Sequence, residues 1–152
     1  MSASLFRVEA YDVAHLAGEH TIGVMVVFND GTSVPSAYRT FTIRDAAPGV
    51  DVGALQEVLV RRFKHAEWRF PNLVVVDGGK AQIAAAEAVL RANGLAIPVV
   101  SVVKTEKHTP RAVLGAAEYV HAREREIVQA NAEAHRFALA KHRRKRSDML
   151  LR

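Results

Sequence analysis

LVVVDGGKAQ, residues 73 to 82, is the stretch on which the fold turns. An unbroken apolar run that is mostly β-branched marks a short strand covered on both faces, as strands inside a parallel sheet are. Asp77, Gly78 and Gly79 then turn the chain, and Lys80 opens an alanine-rich helix expected over about 80–93 and closed by Asn93-Gly94. IPVVSVV, residues 97–103, reads as the next buried strand. A strand, a helix and a second strand in that order make a parallel pair.

Upstream the period changes. Residues 4–13, SLFRVEAYDV, alternate with Phe6, Val8, Ala10 and Asp12 on one side and Leu5, Arg7, Glu9 and Tyr11 on the other. TIGVMVVFND, residues 21–30, is a second strand that stops at Asn29-Asp30-Gly31, and TSVPSAYRTFTI beyond it completes a hairpin. Three strands of an antiparallel meander therefore open the chain. After Pro48-Gly49, Val52, Leu55, Val58, Leu59 and Phe63 recur at helical steps, with Asp51 placed to cap the helix. Downstream, residues 104–120 read as a loop with a short hairpin, and 122–142 as a long helix with Ile127, Val128, Ala134, Ala138 and Leu139 inward. The expectation is one α/β domain over residues 1–152: a mixed five-stranded sheet, three strands in the meander and two parallel, flanked by helices.

Composition limits the chemistry. The chain has 152 residues, 49% of them hydrophobic, which suits one sizeable core. No apolar run is long enough for a membrane span, and the N-terminus lacks the layout of a secretory signal, so a cytoplasmic place with no membrane partner is expected. With no cysteine, there is no disulfide and no thiolate ligand or nucleophile; oxygen and imidazole remain, and oxygen suits magnesium or manganese. A net charge of +5 points to an acidic partner, nucleic acid foremost.

Asp77 stands where ligands collect in open α/β sheets, beyond the carboxyl end of a strand. On this segment alone a capped strand-to-helix turn explains it equally well. Neither G-x-x-x-x-G-K-[ST] nor G-x-G-x-x-G is present, because Ala81 follows Gly79-Lys80. Asp12 shifts the balance: it faces the same way as Val8 and Ala10, and a buried carboxylate without a partner is costly. If the first strand lies beside LVVV, Asp12 and Asp77 converge, and a divalent cation relieves their repulsion and can serve water attack on a phosphodiester. His135, on the stripe of Val128 and Leu139, is expected to face inward, either as a third ligand or as an ordinary core histidine.

These residues carry a resemblance. VEAYDVAHLAG (8–18), TIGVMVVFNDG with AYRTFTIR (within 21–44), VVVDGGKAQ (74–82) and EAHRFALAKHRRKR (133–146) resemble, in order and spacing, the C-terminal endonuclease domain of UvrC, the nuclease subunit of bacterial nucleotide excision repair. The resemblance implies an RNase H-like fold and a divalent metal, Mg2+ or Mn2+, held by Asp12, Asp77 and His135. It implies cutting of damaged double-stranded DNA on the 5′ side of a lesion, with UvrB and UvrA as partners. Another family acid falls at Asp51, where capping is the competing explanation; Glu133 and Lys80 are possible supporting residues. Where the family usually carries an acid before that glutamate, this chain has Ala132 and so lacks that carboxylate. The family's N-terminal nuclease domain, UvrB-binding segment and helix-hairpin-helix pair have no counterpart here, so the chain is expected to be an excised domain or a short relative.

Lys141, Arg143, Arg144, Lys145 and Arg146 crowd the end of the last helix, where they either complement the helix dipole or hold DNA phosphates. Arg39, Arg44 and Arg136 are further DNA-binding candidates. No aromatic residues interleave with these cations, so backbone contacts without base reading are expected. His15 is expected to be exposed or satisfied on the face opposite Asp12, and His20, His65, His108 and His121 show no ligand spacing. The rival to a nuclease is a catalytically weak nucleic-acid-binding module that keeps the fold; an α/β nucleotide-binding domain lacks its phosphate loop.

Overall fold

The structure, a computed structural model, describes residues 5–16, 20–46, 51–103 and 112–150, with only the backbone described for residues 16, 112 and 142–150. Strand β1 (Arg7–Leu16) pairs antiparallel with β2 (His20–Asn29) over its full length and parallel with β5 (Leu73–Asp77) on its other side. β6 (Val99–Val103) continues the parallel set, and β7 (Ala112–Gly115) closes that edge antiparallel. The far edge is shared by β3 (Thr32–Ser33) and β4 (Arg39–Thr42), both paired with β2.

Seven strands thus replace the five expected. The third strand of the meander is cut in two because Pro35, which has no amide hydrogen for a ladder, opens a 3-10 turn at Pro35–Ala37. The seventh strand lies at the end of the segment read as a loop with a hairpin; residues 104–111 of that segment lie outside the described residues, as does the Pro48-Gly49 break. The first strand does not stop at residue 13 either. Because β2 continues as its partner to Leu16↔His20, β1 runs on past the place where β5 stops.

Helix α1 (Asp51–Arg62) and helix α2 (Lys80–Ala92) cover one face of the sheet and the long helix α3 (Ala117–Leu150) covers the other. Alternation along β1 divides the core accordingly. Val8 and Ala10 pack with Leu73, Val75, Ile127 and Ala134 beneath α3. Tyr11 packs with Val74, Val76, Leu55 and Leu59 beneath α1 and α2. Each fully buried aliphatic side chain contributes about 1.5–3 kcal/mol of transfer free energy, so covering both faces supplies the stability that a one-sided sheet of this size would lack.

α3 begins five residues earlier than the periodicity predicts, at Ala117 in place of 122, and is broken at Arg123, whose φ of −133° is not helical. Its buried stripe is Ile127, Ala130, Asn131, Ala134 and Ala138. Leu139 is exposed, contrary to expectation, because the stripe sits one residue back and the small alanines let the helix lie close to the sheet.

One polar network lies in the core. Glu9 accepts from Arg62 Nε at 2.8 Å and Nη2 at 2.7 Å, from Arg7 Nε at 2.9 Å and from Tyr11 Oη at 2.5 Å. Arg62 also donates to the Arg69 carbonyl at 2.8 Å, so this ion pair, 0% exposed on both sides, ties the end of α1 and the chain after it to β1. Burial and the neighbouring Glu9 charge push the Tyr11 hydroxyl well above its ordinary pKa, so it stays a hydrogen donor.

Candidate active site

The β1–β5 register pairs Tyr11 with Val76, so Asp12 and Asp77 are the next residues on two adjacent parallel strands. In-register residues of a parallel pair share a face, and theirs is the face under α3, the face of Val8, Ala10, Leu73 and Val75. Asp12 is buried, 9% exposed, while Asp77, at the last position of β5, is exposed. Burial, and then the charge of Asp77, raise the Asp12 carboxyl above its ordinary pKa; hydrogen bonds from the Val13 amide and His135 oppose this without cancelling it. A sheet built for stability alone would place an aliphatic side chain at Asp12. The like charges are kept side by side.

α3 supplies a partner to each. His135 Nδ1 lies 3.1 Å from Asp12 Oδ2, with the imidazole side chain 45% exposed. One turn earlier, Asn131 Nδ2 donates to Asp77 Oδ1 at 3.1 Å, and Asn131 is 2% exposed. The i, i+4 spacing puts both on one helix face. Sequence reading found His135 by its helix stripe but passed over Asn131, although an asparagine on an alanine stripe is a signal that a polar group is being served.

Asp51 arrives from the other layer. Asp12, Asp77 and Asp51 line one small pocket with Tyr11, Val13, Leu55 and Gln82. Asp51 is in the first turn of α1, where a negative charge meets the positive end of the helix, and its Oδ1 lies 2.5 Å from His15 Nε2. His15 Nδ1 lies 3.1 Å from Thr21 Oγ1. His15 is thus exposed and satisfied on the face opposite Asp12, and it holds Asp51 at the pocket. Gln82 shapes the same turn: its Oε1 accepts from the Gly79 amide at 2.9 Å, and its side chain occupies the space that a Cβ at Gly78, φ 124°, would fill. Among the described residues no three His, Asp or Glu side chains converge closely enough to ligate one ion as they stand.

The remaining candidates separate from this pocket. Glu133 points toward the β2 and β3 side of α3, accepting from Tyr38 Oη at 2.7 Å and from Arg136 at 2.5 and 2.8 Å. Hydrogen bonds from the Arg136 guanidinium hold Glu133 below the ordinary carboxylate range, and burial together with Glu133 pushes the Tyr38 hydroxyl up to about 12. Arg136 is therefore paired within the chain. Arg39 stacks over the Trp68 ring, 4.7 Å from its centroid, and donates to the Ser36 and Tyr38 carbonyls. Arg44 and Lys80 are exposed. Lys141 lies 5.1 Å from the Phe137 ring centroid, one and two-thirds turns beyond His135, and the side chains of Arg143, Arg144, Lys145 and Arg146 lie outside the described residues although their helix backbone is present.

A central antiparallel hairpin joined to parallel strands, with carboxylates side by side at their junction and a helix laid over them, defines an RNase H-like nuclease domain. The chain belongs to the family described as the UvrC RNase H endonuclease domain, whose model matches residues 1–149. It is 35% identical over 153 residues to the UvrABC system protein C of Desulfitobacterium hafniense, covering 95% of this chain and 25% of that protein. It is 38% identical over 158 residues to the protein of the same name from Chlamydia muridarum, covering 95% and 26%. The chain thus spans about a quarter of the length of the curated relatives it matches. Among solved structures it aligns with endonuclease V of Ciona intestinalis bound to an inosine-containing DNA 24mer, at TM-score 0.48 and 16% identity over 66% of this chain and 47% of that one. Endonuclease V of Streptomyces avermitilis aligns at TM-score 0.47 and 20% identity over 68% and 48%. Among the described residues no helix is long and apolar enough to cross a membrane.

Proposed function

We propose that this domain hydrolyses a DNA phosphodiester on the 5′ side of a lesion, in the cytoplasm, as the metal-dependent nuclease of an excision repair system that includes UvrA and UvrB. The observation that carries the reading is the juxtaposition of a buried Asp12 with Asp77, a charged pair that costs stability and that the core does not need. The donor set fits a hard divalent ion: two carboxylates on neighbouring strands, an imidazole on Asp12 and a third carboxylate, Asp51, at the pocket rim. Mg2+ or Mn2+ held by Asp12 and Asp77, with His135 completing the set, would supply charge stabilisation at the phosphoryl oxygens and a lowered pKa for water.

The chain's own groups do the rest. Asp12 keeps the His135 ring oriented through Nδ1, which leaves Nε2 as the nitrogen able to complete the donor set. Lys141, with Arg143 to Arg146 behind it on the same helix, lies about 9 Å along the axis from His135 at roughly 1.5 Å rise per residue, within reach of phosphates flanking the scissile bond. Arg39 and Arg136 are engaged within the chain and serve less well as free phosphate binders than Arg44 and Lys80. A second reading, a nucleic-acid-binding module with weak catalysis, draws on Ala132 and on the absence of a ready-made three-ligand cluster among the described residues. Nicking of supercoiled plasmid separates the two. Manganese-dependent nicking that disappears in Asp12→Asn and Asp77→Asn supports the nuclease; duplex binding with no nicking at any ion concentration supports the binding module.

A further inference from the structure

The two carboxylates need to stay apart from each other and aimed at one place, and α3 carries one donor for each. Successive donors at i and i+4 are separated by roughly 6 Å along a helix axis, close to the roughly 4.8 Å between neighbouring strands. A helix crossing β1 and β5 can therefore set Asn131 on Asp77 and His135 on Asp12 at once, which is what the two 3.1 Å contacts record. The pairing is crossed in burial. Exposed Asp77 takes the buried amide, and buried Asp12 takes the half-exposed imidazole.

We infer that Asn131 is a positioning residue for Asp77: its amide fixes Oδ1 and so presents the other carboxylate oxygen to the pocket shared with Asp12 and Asp51. The inference rests on the metal-dependent reading above. An amide suits the task for a chemical reason. It donates a hydrogen bond without bringing a positive charge, so it orients the carboxylate and leaves its full negative charge for a cation, whereas a lysine or arginine would neutralise it. Its place on the buried face of α3 holds it: the side chain is 2% exposed and flanked by Ala130 and Ala134 on the buried stripe. Hydrogen-bond partners of ligating side chains are known to matter about 10- to 100-fold in ion affinity.

Calorimetric titration of the domain with Mn2+ tests this, alongside melting temperatures of the ion-free proteins. Two variants are compared, Asn131→Ala, which removes the amide and leaves a gap, and Asn131→Leu, which removes it and keeps the volume. The expected result is a 10- to 100-fold loss of Mn2+ affinity in both, although their melting temperatures differ. Affinity that follows the melting temperature, low in one variant and normal in the other, would mean that Asn131 only packs and would overturn the inference. Parent-like affinity in both would overturn it equally. If the parent itself takes up no Mn2+, it is the metal-dependent reading that falls, and with it the role inferred for Asn131.

Discussion

Replacing Asp12 with asparagine should make the ion-free domain more stable, an unusual outcome for a buried position. Asp12 and Asp77 are neighbours on adjacent strands, roughly 5 Å apart by strand spacing, and two unit charges at that distance repel by about 3 kcal/mol at an effective dielectric of about 20 and by about 1 kcal/mol in water. Asp77 is exposed, so the screened end of the range applies, and about 1 kcal/mol is the expected gain. For a chain of 152 residues that corresponds to a rise of about 2–4 °C in Tm. The pH dependence has a definite sign. The folded Asp12 carboxyl has a raised pKa, so the native state holds this proton more tightly than the unfolded chain, whose aspartates sit near 3.8. Parent stability is therefore lost as pH climbs from that range through the folded value, and the Asp12→Asn advantage is present at neutral pH and absent in acid. Calorimetric melting in chelator at both pH values measures it. Adding Mn2+ at about 1,000 times its Kd should then stabilise the parent by about 4 kcal/mol and reverse the order. A variant that is equal to or less stable than the parent at neutral pH in chelator would show that the two charges do not confront each other.

Other positions give independent checks. Arg62→Met leaves the fully buried Glu9 with Arg7 and Tyr11 but without its two Arg62 hydrogen bonds, and should cost about 3–5 kcal/mol in urea unfolding. Gly23→Ala places a methyl against Val58 of α1 and should cost about 1–3 kcal/mol, read from the same unfolding midpoints. Ultraviolet titration should find Tyr38 ionising at about 12, raised first by burial and then by Glu133, and Glu133→Gln should lower it only in part, since burial remains.

The local patterns carried most of the fold. The apolar run at 73–76 and the alternation of Phe6 to Asp12 mark two strands and their buried faces, whereas the parallel pairing of β5 with β1, on which the reading of Asp12 with Asp77 is conditional, comes from the structure. The split at Pro35 was readable in principle, since proline removes a ladder donor, but flanking residues with strand preference concealed it. The stripe of α3 was misjudged by one residue because alanines at 130, 134 and 138 carry little hydrophobic weight, while Leu139, which carries much, is exposed. Asp12, Asp77 and His135 stand out by strand end, strand face and helix stripe before the motif resemblance adds to them, and the structure sets Asp12 next to Asp77 and His135 on Asp12. What periodicity could not supply was the link between distant polar residues: His15 to Asp51, Asn131 to Asp77 and Tyr38 to Glu133 are each set by how α1 or α3 lies on the sheet. Glu133, read as a possible support for the site, is turned away from it by a helical angle that its neighbour His135 does not share.

The claim on which the account depends is that side chains from β1, β5 and α3 gather around one divalent ion. Paramagnetic broadening of backbone amide resonances during Mn2+ titration tests it without DNA or partner proteins. The account predicts broadening centred on Asp12, Asp77 and His135 that is abolished by Asp77→Asn. Broadening centred elsewhere on the surface, or undiminished in Asp77→Asn, would contradict it.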